Sequence, residues 1–165
     1  MAGRAFALAK WNGTFPEVQY LLVKASQTFK AGAVVLTDAN GELLEASADP
    51  AVIKGVALSQ AGSALGYNMS NAGDIVAATG REDKVAVAIA NNASIFSGRA
   101  VNGGTDPVTP LQTHVDEEYG VLKDADGIWT IDIAEVTVKS VHIVGFDLST
   151  KSFLFKFIAS FQQQP

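Results

Sequence analysis

The chain has 165 residues, enough for one domain of ordinary size with a small appendage. Apolar residues make up 48% and charged residues 18%, below the roughly 25% charged share of a typical soluble domain, so its surface favours assembly. A net charge of −5 argues against direct binding to a nucleic-acid backbone, and the absence of cysteine excludes disulfides, thiolate catalysis and thiolate metal sites. Residues 4–11, RAFALAKW, alternate large and small side chains as a strand does, and Asn12-Gly13 is a turn pair. Pro16 cannot donate to a ladder, so residues 1–17 read as an arm loosely joined to a β-rich domain over 18–165; the competing reading is an ordinary first strand.

Residues 18–24, VQYLLVK, predict a strand. Residues 33–37 predict another, rich in β-branched side chains, joined through Asp38-Ala39-Asn40-Gly41 to a partner strand over 42–46. Asn40-Gly41 is expected to supply the positive-φ positions of that hairpin. Asp49-Pro50 reads as a cap and first helical position, so a single helical turn is expected over 51–53 before the strand Val56–Leu58.

Residues 59–73 read as loop, and 75–78 are a short apolar stretch. VAVAIA, over 85–90, predicts a buried strand whose alanine face lets another layer approach. Residues 109–120 predict the one short helix: Thr109 caps it, Pro110 opens it, Gln112 completes a capping box, Leu111, Val115 and Tyr119 form one stripe, and Gly120 stops it. Strand and turn signals then continue to Phe153, Phe155 and Phe157, which recur at every second position and so share one face.

Chemistry-bearing constellations are sparse. His114 with Asp116, Glu117 and Glu118 is the one dense polar cluster, and on a helix those side chains fan apart into a solvated face. His142 lies inside a strand, as a hydrogen-bonded or an exposed residue. Gly98 and Gly103-Gly104 lack the lysine and strand-to-helix setting of a phosphate loop, and no nucleophile elbow occurs. No catalytic site, metal or cofactor is expected. No stretch approaches the ~20 apolar residues of a membrane helix, and MAGRAFALAKWNG lacks the apolar core of a signal peptide, so no membrane partner is expected.

The stretch FKAGAVVLTDANGELLEASADPAVIKGVAL resembles the core of the head decoration, or cement, proteins of tailed bacteriophages, whose β-rich domain is called a β-tulip. The later YGVLKDADGIWTIDIAEVTVKSVHIVGFD and the aromatic strand after it look like the C-terminal half of such virion proteins. The likeness covers about half the chain and lies in turn and strand chemistry. It implies an all-β, β-tulip-like small barrel or sandwich with an extended N-terminal arm. It implies a homotrimer on the outer surface of an icosahedral capsid in the virion, its arm pairing with the major capsid protein. The function implied is mechanical: bridging neighbouring capsid subunits against the pressure of packaged DNA. A carbohydrate- or host-binding β domain of a spike or fibre base is the alternative, and an unrecognised enzyme ranks last.

On the arm, the expected capsid anchors are Phe6, Leu8 and Trp11, with Arg4 and Lys10 as cations. Phe153, Phe155 and Phe157 are expected to face the core, because three exposed rings would form a large adhesive patch. The opposite face of that strand is then free for oligomer contacts through Leu154 and Ile158, with Phe161 against a neighbouring subunit.

Overall fold

A computed structural model describes residues 6–10, 15–24, 27–58, 74–76 and 84–163. The chain is mostly β, and helix among the described residues amounts to short 3-10 turns. Strands are numbered in chain order. The larger sheet has eight, in the order β1 (Ala7–Leu8), β9 (Phe96–Gly98), β15 (Ser152–Phe157), β14 (Val141–Asp147), β12 (Glu118–Lys123), β13 (Trp129–Asp132), β10 (Ala100–Asn102) and β11 (Asp106–Val108). The smaller has five, in the order β2 (Val18–Leu22), β8 (Lys84–Ile89), β6 (Gly55–Ala57), β4 (Val34–Thr37) and β5 (Leu43–Glu45). A two-stranded ribbon pairs β3 (Thr28–Lys30) with β7 (Asp74–Val76).

Both sheets bring distant places in their strand order together. Arg99 alone separates β9 from β10, yet β9 pairs with β15 while β10 runs parallel to β13, and the Arg99 carbonyl accepts from the Ile131 amide at 3.0 Å. In the smaller sheet, Val23, just past β2, bridges Leu43 of β5, and the Lys24 amide donates to the Leu43 carbonyl at 2.9 Å. The outer strands of the smaller sheet thus meet just past β2, while in the larger sheet the short β9–β10 link joins the second and seventh strands in its order.

Period-two patterning explains the core. Phe153, Phe155 and Phe157 all point inward and are fully buried. Phe155 is their hub, with ring centroids 4.9 Å from Phe6, 5.9 Å from Phe96 and 5.5 Å from Phe157. Val141 and Ile143 of β14 and Val85 and Val87 of β8 join the same continuous cluster, so one core spans both sheets. Trp129 is buried too, and its indole Nε1 donates to Glu45 Oε1 at 2.9 Å. Lys123 Nζ reaches the other oxygen of Glu45 at 2.7 Å, so one carboxylate on β5 holds two donors from the larger sheet.

A second joint lies at residues 161–163. The Ile53 amide donates to the Phe161 carbonyl at 2.6 Å, and the Gln163 amide donates to the Ile53 carbonyl at 2.8 Å. The Gln163 side chain then satisfies both backbone groups of Thr37, accepting from its amide and donating to its carbonyl, each at 2.8 Å. Gln162 is buried, and its Nε2 donates to the Phe157 carbonyl at 2.9 Å.

Three local expectations are corrected. The helix over 109–120 shrinks to one 3-10 turn, Gln112–His114. Val115 is extended and Asp116 takes φ +68, because the Asp116 amide is drawn to the Ile143 carbonyl and Tyr119 pairs with Val141. Sheet pairing thus overrides the helical stripe, and Leu111 is left exposed. The helical turn over 51–53 does not form either: Ile53 is extended, buried and bridged to Gln162. In the 38–41 hairpin, Gly41 has φ +77 but Asn40 does not share the left-handed region; Asp38 Oδ1 instead accepts from the Asn40 and Glu42 amides.

Candidate functional site

The N-terminal residues divide between core and surface. Arg4 and Trp11 lie outside the described residues. Phe6 is 3% exposed, and its ring lies where Gly98 leaves room; a Cβ there would collide with it. Leu8 is half-buried against the core, and β1 pairs with β9 through Ala7 and Ser97 and through Leu8 and Phe96. In the isolated chain, the Phe6 ring is thus committed to the core. Lys10 is exposed, its ammonium 5.9 Å from the centroid of the Phe15 ring.

That ring begins a surface strip that the sequence reading passed over. Phe15 is 57% exposed, Val18 41% and Tyr20 70%. Val18 and Tyr20 share the outer face of β2 by parity, and β2 pairs along its length with β8 on one side only among the described residues. The alternation of VQYL was available to mark this face, but nothing in it says which parity points outward.

The outer face of β15 is less open. Leu154, Lys156 and Ile158 are half-buried within this chain. Phe161 sits in the 3-10 turn Ala159–Phe161 and packs partly against the core. The acidic and histidine residues do not converge. His142 Nε2 lies 3.7 Å from Asp116 Oδ1, and that carboxylate is largely exposed. His114 Nδ1 accepts from the Leu111 amide at 3.0 Å while its ring packs 5.4 Å from Phe153. Among the described residues, no group of three or more His, Asp or Glu side chains could hold a metal ion.

A cavity of about 590 Å³ opens between β10, β11, β13 and the turn linking β14 to β15. Arg99, Thr130 and Lys151 line it, with Asp124 at one side and Val101 and Val108 as apolar wall. Sequence spacing carried no signal of this site, because its residues come from separate strands and turns. The β14–β15 turn is pinned by Asp147, whose Oδ1 accepts from the Ser149 amide at 2.8 Å and hydroxyl at 2.7 Å, and whose Oδ2 accepts from Thr150 Oγ1 at 3.0 Å. Lys151 ends the turn at φ +52, in the left-handed region that non-glycine residues adopt uncommonly.

The Ser149 hydroxyl, then the Thr150 hydroxyl, hold the Asp147 carboxyl below its ordinary value of 3.8. A depressed value in the folded chain means that the pin is complete above the ordinary value and is lost as pH falls through the depressed one. The Ser149 amide resonance is expected to stay constant from neutral pH to about pH 4 and to shift only below it. Asp147→Ala should reproduce the acid position of that resonance at neutral pH; a resonance that the substitution leaves in place would show the turn to be held by other contacts.

Comparison of the chain with family models, with curated proteins and with solved structures gives no match.

Proposed function

We propose that the chain is a structural protein of a tailed-phage virion, seated on the outside of the capsid, where it cements neighbouring major capsid proteins. The observation that carries this reading is the exposure of Val18 and Tyr20 on β2, a strand paired on one side among the described residues, with exposed Phe15 shortly before it. Apolar side chains beside an open backbone edge suit docking by strand addition, in which main-chain bonds give affinity and alternate side chains give specificity. The low charged fraction supports a role in assembly, and the Val23–Leu43 bridge between the outer strands of the smaller sheet, with the short β9–β10 link across the larger, supports a small β-tulip-like barrel.

In this reading, Arg4, Leu8, Lys10 and Trp11 of residues 1–17 are further capsid contacts, while Phe6 holds its segment to the core. Leu154, Ile158 and Phe161 carry the homotrimer contact, many copies acting together on one shell. No cofactor, nucleic acid or membrane enters the function.

Co-sedimentation with expanded, empty capsid shells tests it. The wild-type chain should pellet with shells, and Tyr20→Asp combined with Val18→Asp should weaken binding at least about tenfold, since exposed apolar anchors dominate such contacts. The melting temperature of the variant should stay within a few degrees of wild type, because both side chains lie on the surface. Wild-type protein that ignores shells but adheres to host surface polysaccharide would establish the host-binding alternative instead.

A further inference from the structure

We infer that two copies of the free chain pair edge to edge through β2, antiparallel and two-fold symmetric about Gln19. Self-pairing and shell docking exclude one another on this edge, and self-pairing is read in solution without shells.

The direction of each backbone group decides what the edge can hold. An antiparallel ladder turns the amides and carbonyls of alternate residues toward the partner. The Ile89 amide donates to the Glu17 carbonyl at 2.8 Å, and the register sets Val18 opposite Ala88 and Tyr20 opposite Ala86. Gln19 and Leu21 therefore direct their backbone groups to β8, while Val18 and Tyr20 turn theirs outward, where no partner meets them among the described residues. Two stops bound this window. Pro16 has no N–H to offer, and past Leu22 the edge belongs to β5: Leu43 bridges Val23 and accepts from the Lys24 amide at 2.9 Å.

A second copy fits between those stops. With Gln19 opposite Gln19, Val18 of each copy faces Tyr20 of the other, and each such pair exchanges both N–H···O bonds. Leu22 then faces Pro16 of the second copy, so the residue without a donor lies where β5 takes over the edge. An unrelated, longer strand would run on into Leu43. Centring the pair on Tyr20 would bring Glu17 of the second copy onto Val23, a place Leu43 already holds; centring it on Val18 would set Tyr20 against Pro16 and lose bonds.

Side chains favour the same register. Valine opposite tyrosine is a favourable cross-strand pair of β-branched and aromatic residues, and it occurs twice. Glu17 faces Leu21 of the second copy and meets no like charge. The other outer strands of the two sheets are guarded: β1 is only two residues long, β11 carries Asp106 and Pro107, and β5 carries Glu45. The five residues of β2, VQYLL, include neither a charge nor a proline. A ladder this short belongs with the interfaces under roughly 1,200 Å² that form weak, reversible complexes.

Single-cysteine variants test the pairing, because the chain has no cysteine of its own. In this register two Gln19→Cys side chains face each other across a non-hydrogen-bonded pair, with Cα atoms about 4.5 Å apart and so within disulfide range. Under mild oxidation at about 0.5 mM protein, Gln19→Cys should give a covalent dimer at least about tenfold faster than Tyr20→Cys, whose copies sit on a diagonal roughly 7–8 Å apart. Leu148→Cys, exposed but outside the edge, should be as slow as Tyr20→Cys. Adding Val18→Pro to Gln19→Cys removes only an outward N–H and should slow cross-linking at least about tenfold while the circular dichroism spectrum is kept. Tyr20→Lys, which spares the backbone and sets a charge on the edge, should slow it likewise. Equal rates at positions 19, 20 and 148, a rate untouched by both edge substitutions, or no Gln19→Cys dimer at that concentration would overturn the assignment.

Discussion

Phe155→Ala is expected to lower the free energy of unfolding by about 3–5 kcal/mol, the usual range for truncating a buried phenylalanine. The ring is wholly buried and packs against three others, Phe6 just before β1, Phe96 of β9 and Phe157 of its own strand. Its neighbours cannot collapse onto the vacated space without moving Phe6, which is itself wedged over Gly98. Against a total stability of roughly 5–15 kcal/mol, such a loss is a large fraction of the whole. Denaturant titration checks the number. An unchanged midpoint, with the variant eluting as a smaller species than wild type, would mean that the rings cover a partner. Lys156→Ala, one residue along and facing the other way, should change stability by no more than about 0.5 kcal/mol.

Replacing Gln162 and Gln163 together with alanine should cost about 2–4 kcal/mol, taking three side-chain hydrogen bonds at roughly 0.5–1.5 kcal/mol each. The three bonds run to the Thr37 amide, the Thr37 carbonyl and the Phe157 carbonyl. Their loss leaves three backbone groups without these partners at the seam between the sheets, which is where the penalty arises. Thermal unfolding should show a drop in melting temperature, and hydrogen exchange should show the Thr37 amide losing protection before the amides of β15. Simultaneous loss everywhere would mean that the seam opens only with the whole domain. A melting temperature within a degree of wild type would show that water replaces these glutamines without cost.

These two residues illustrate what the sequence conceals. QQQP reads as a polar tail, since glutamine is ordinarily a surface residue and nothing local names its distant partner. The phenylalanine strand was legible because period two and burial give the same answer. Trp129 lies within the strand signal IWTID, a setting that favours the core, though nothing in the sequence marks its link to Glu45. The expected helix over 109–120 failed where local and long-range preferences conflict: capping residues and a stripe favoured helix, and the ladder with β14 won. At the N-terminus, alternation over 4–11 predicted a strand, and β1 is present, but alternation cannot tell a strand that docks on its own core from one that docks elsewhere. The cavity was illegible throughout. Arg99, Thr130 and Lys151 are ordinary residues in ordinary strands and turns, and only the curl of the larger sheet collects them.

The contact between Gln163 and Thr37 joins residues 126 positions apart in the chain. Protein synthesis delivers them in order, at roughly 5–20 residues per second, so Thr37 waits on the order of 6–25 s for its partner to be made. The further length of the ribosomal tunnel adds to that wait. During the interval β4 can pair with β5, which follows it by a few residues, but its seam with the larger sheet stays unlatched. A nascent chain stalled before residue 162 should therefore remain sensitive to protease near Thr37. Protection should appear once the glutamines emerge, making closure of the seam a late step of biogenesis.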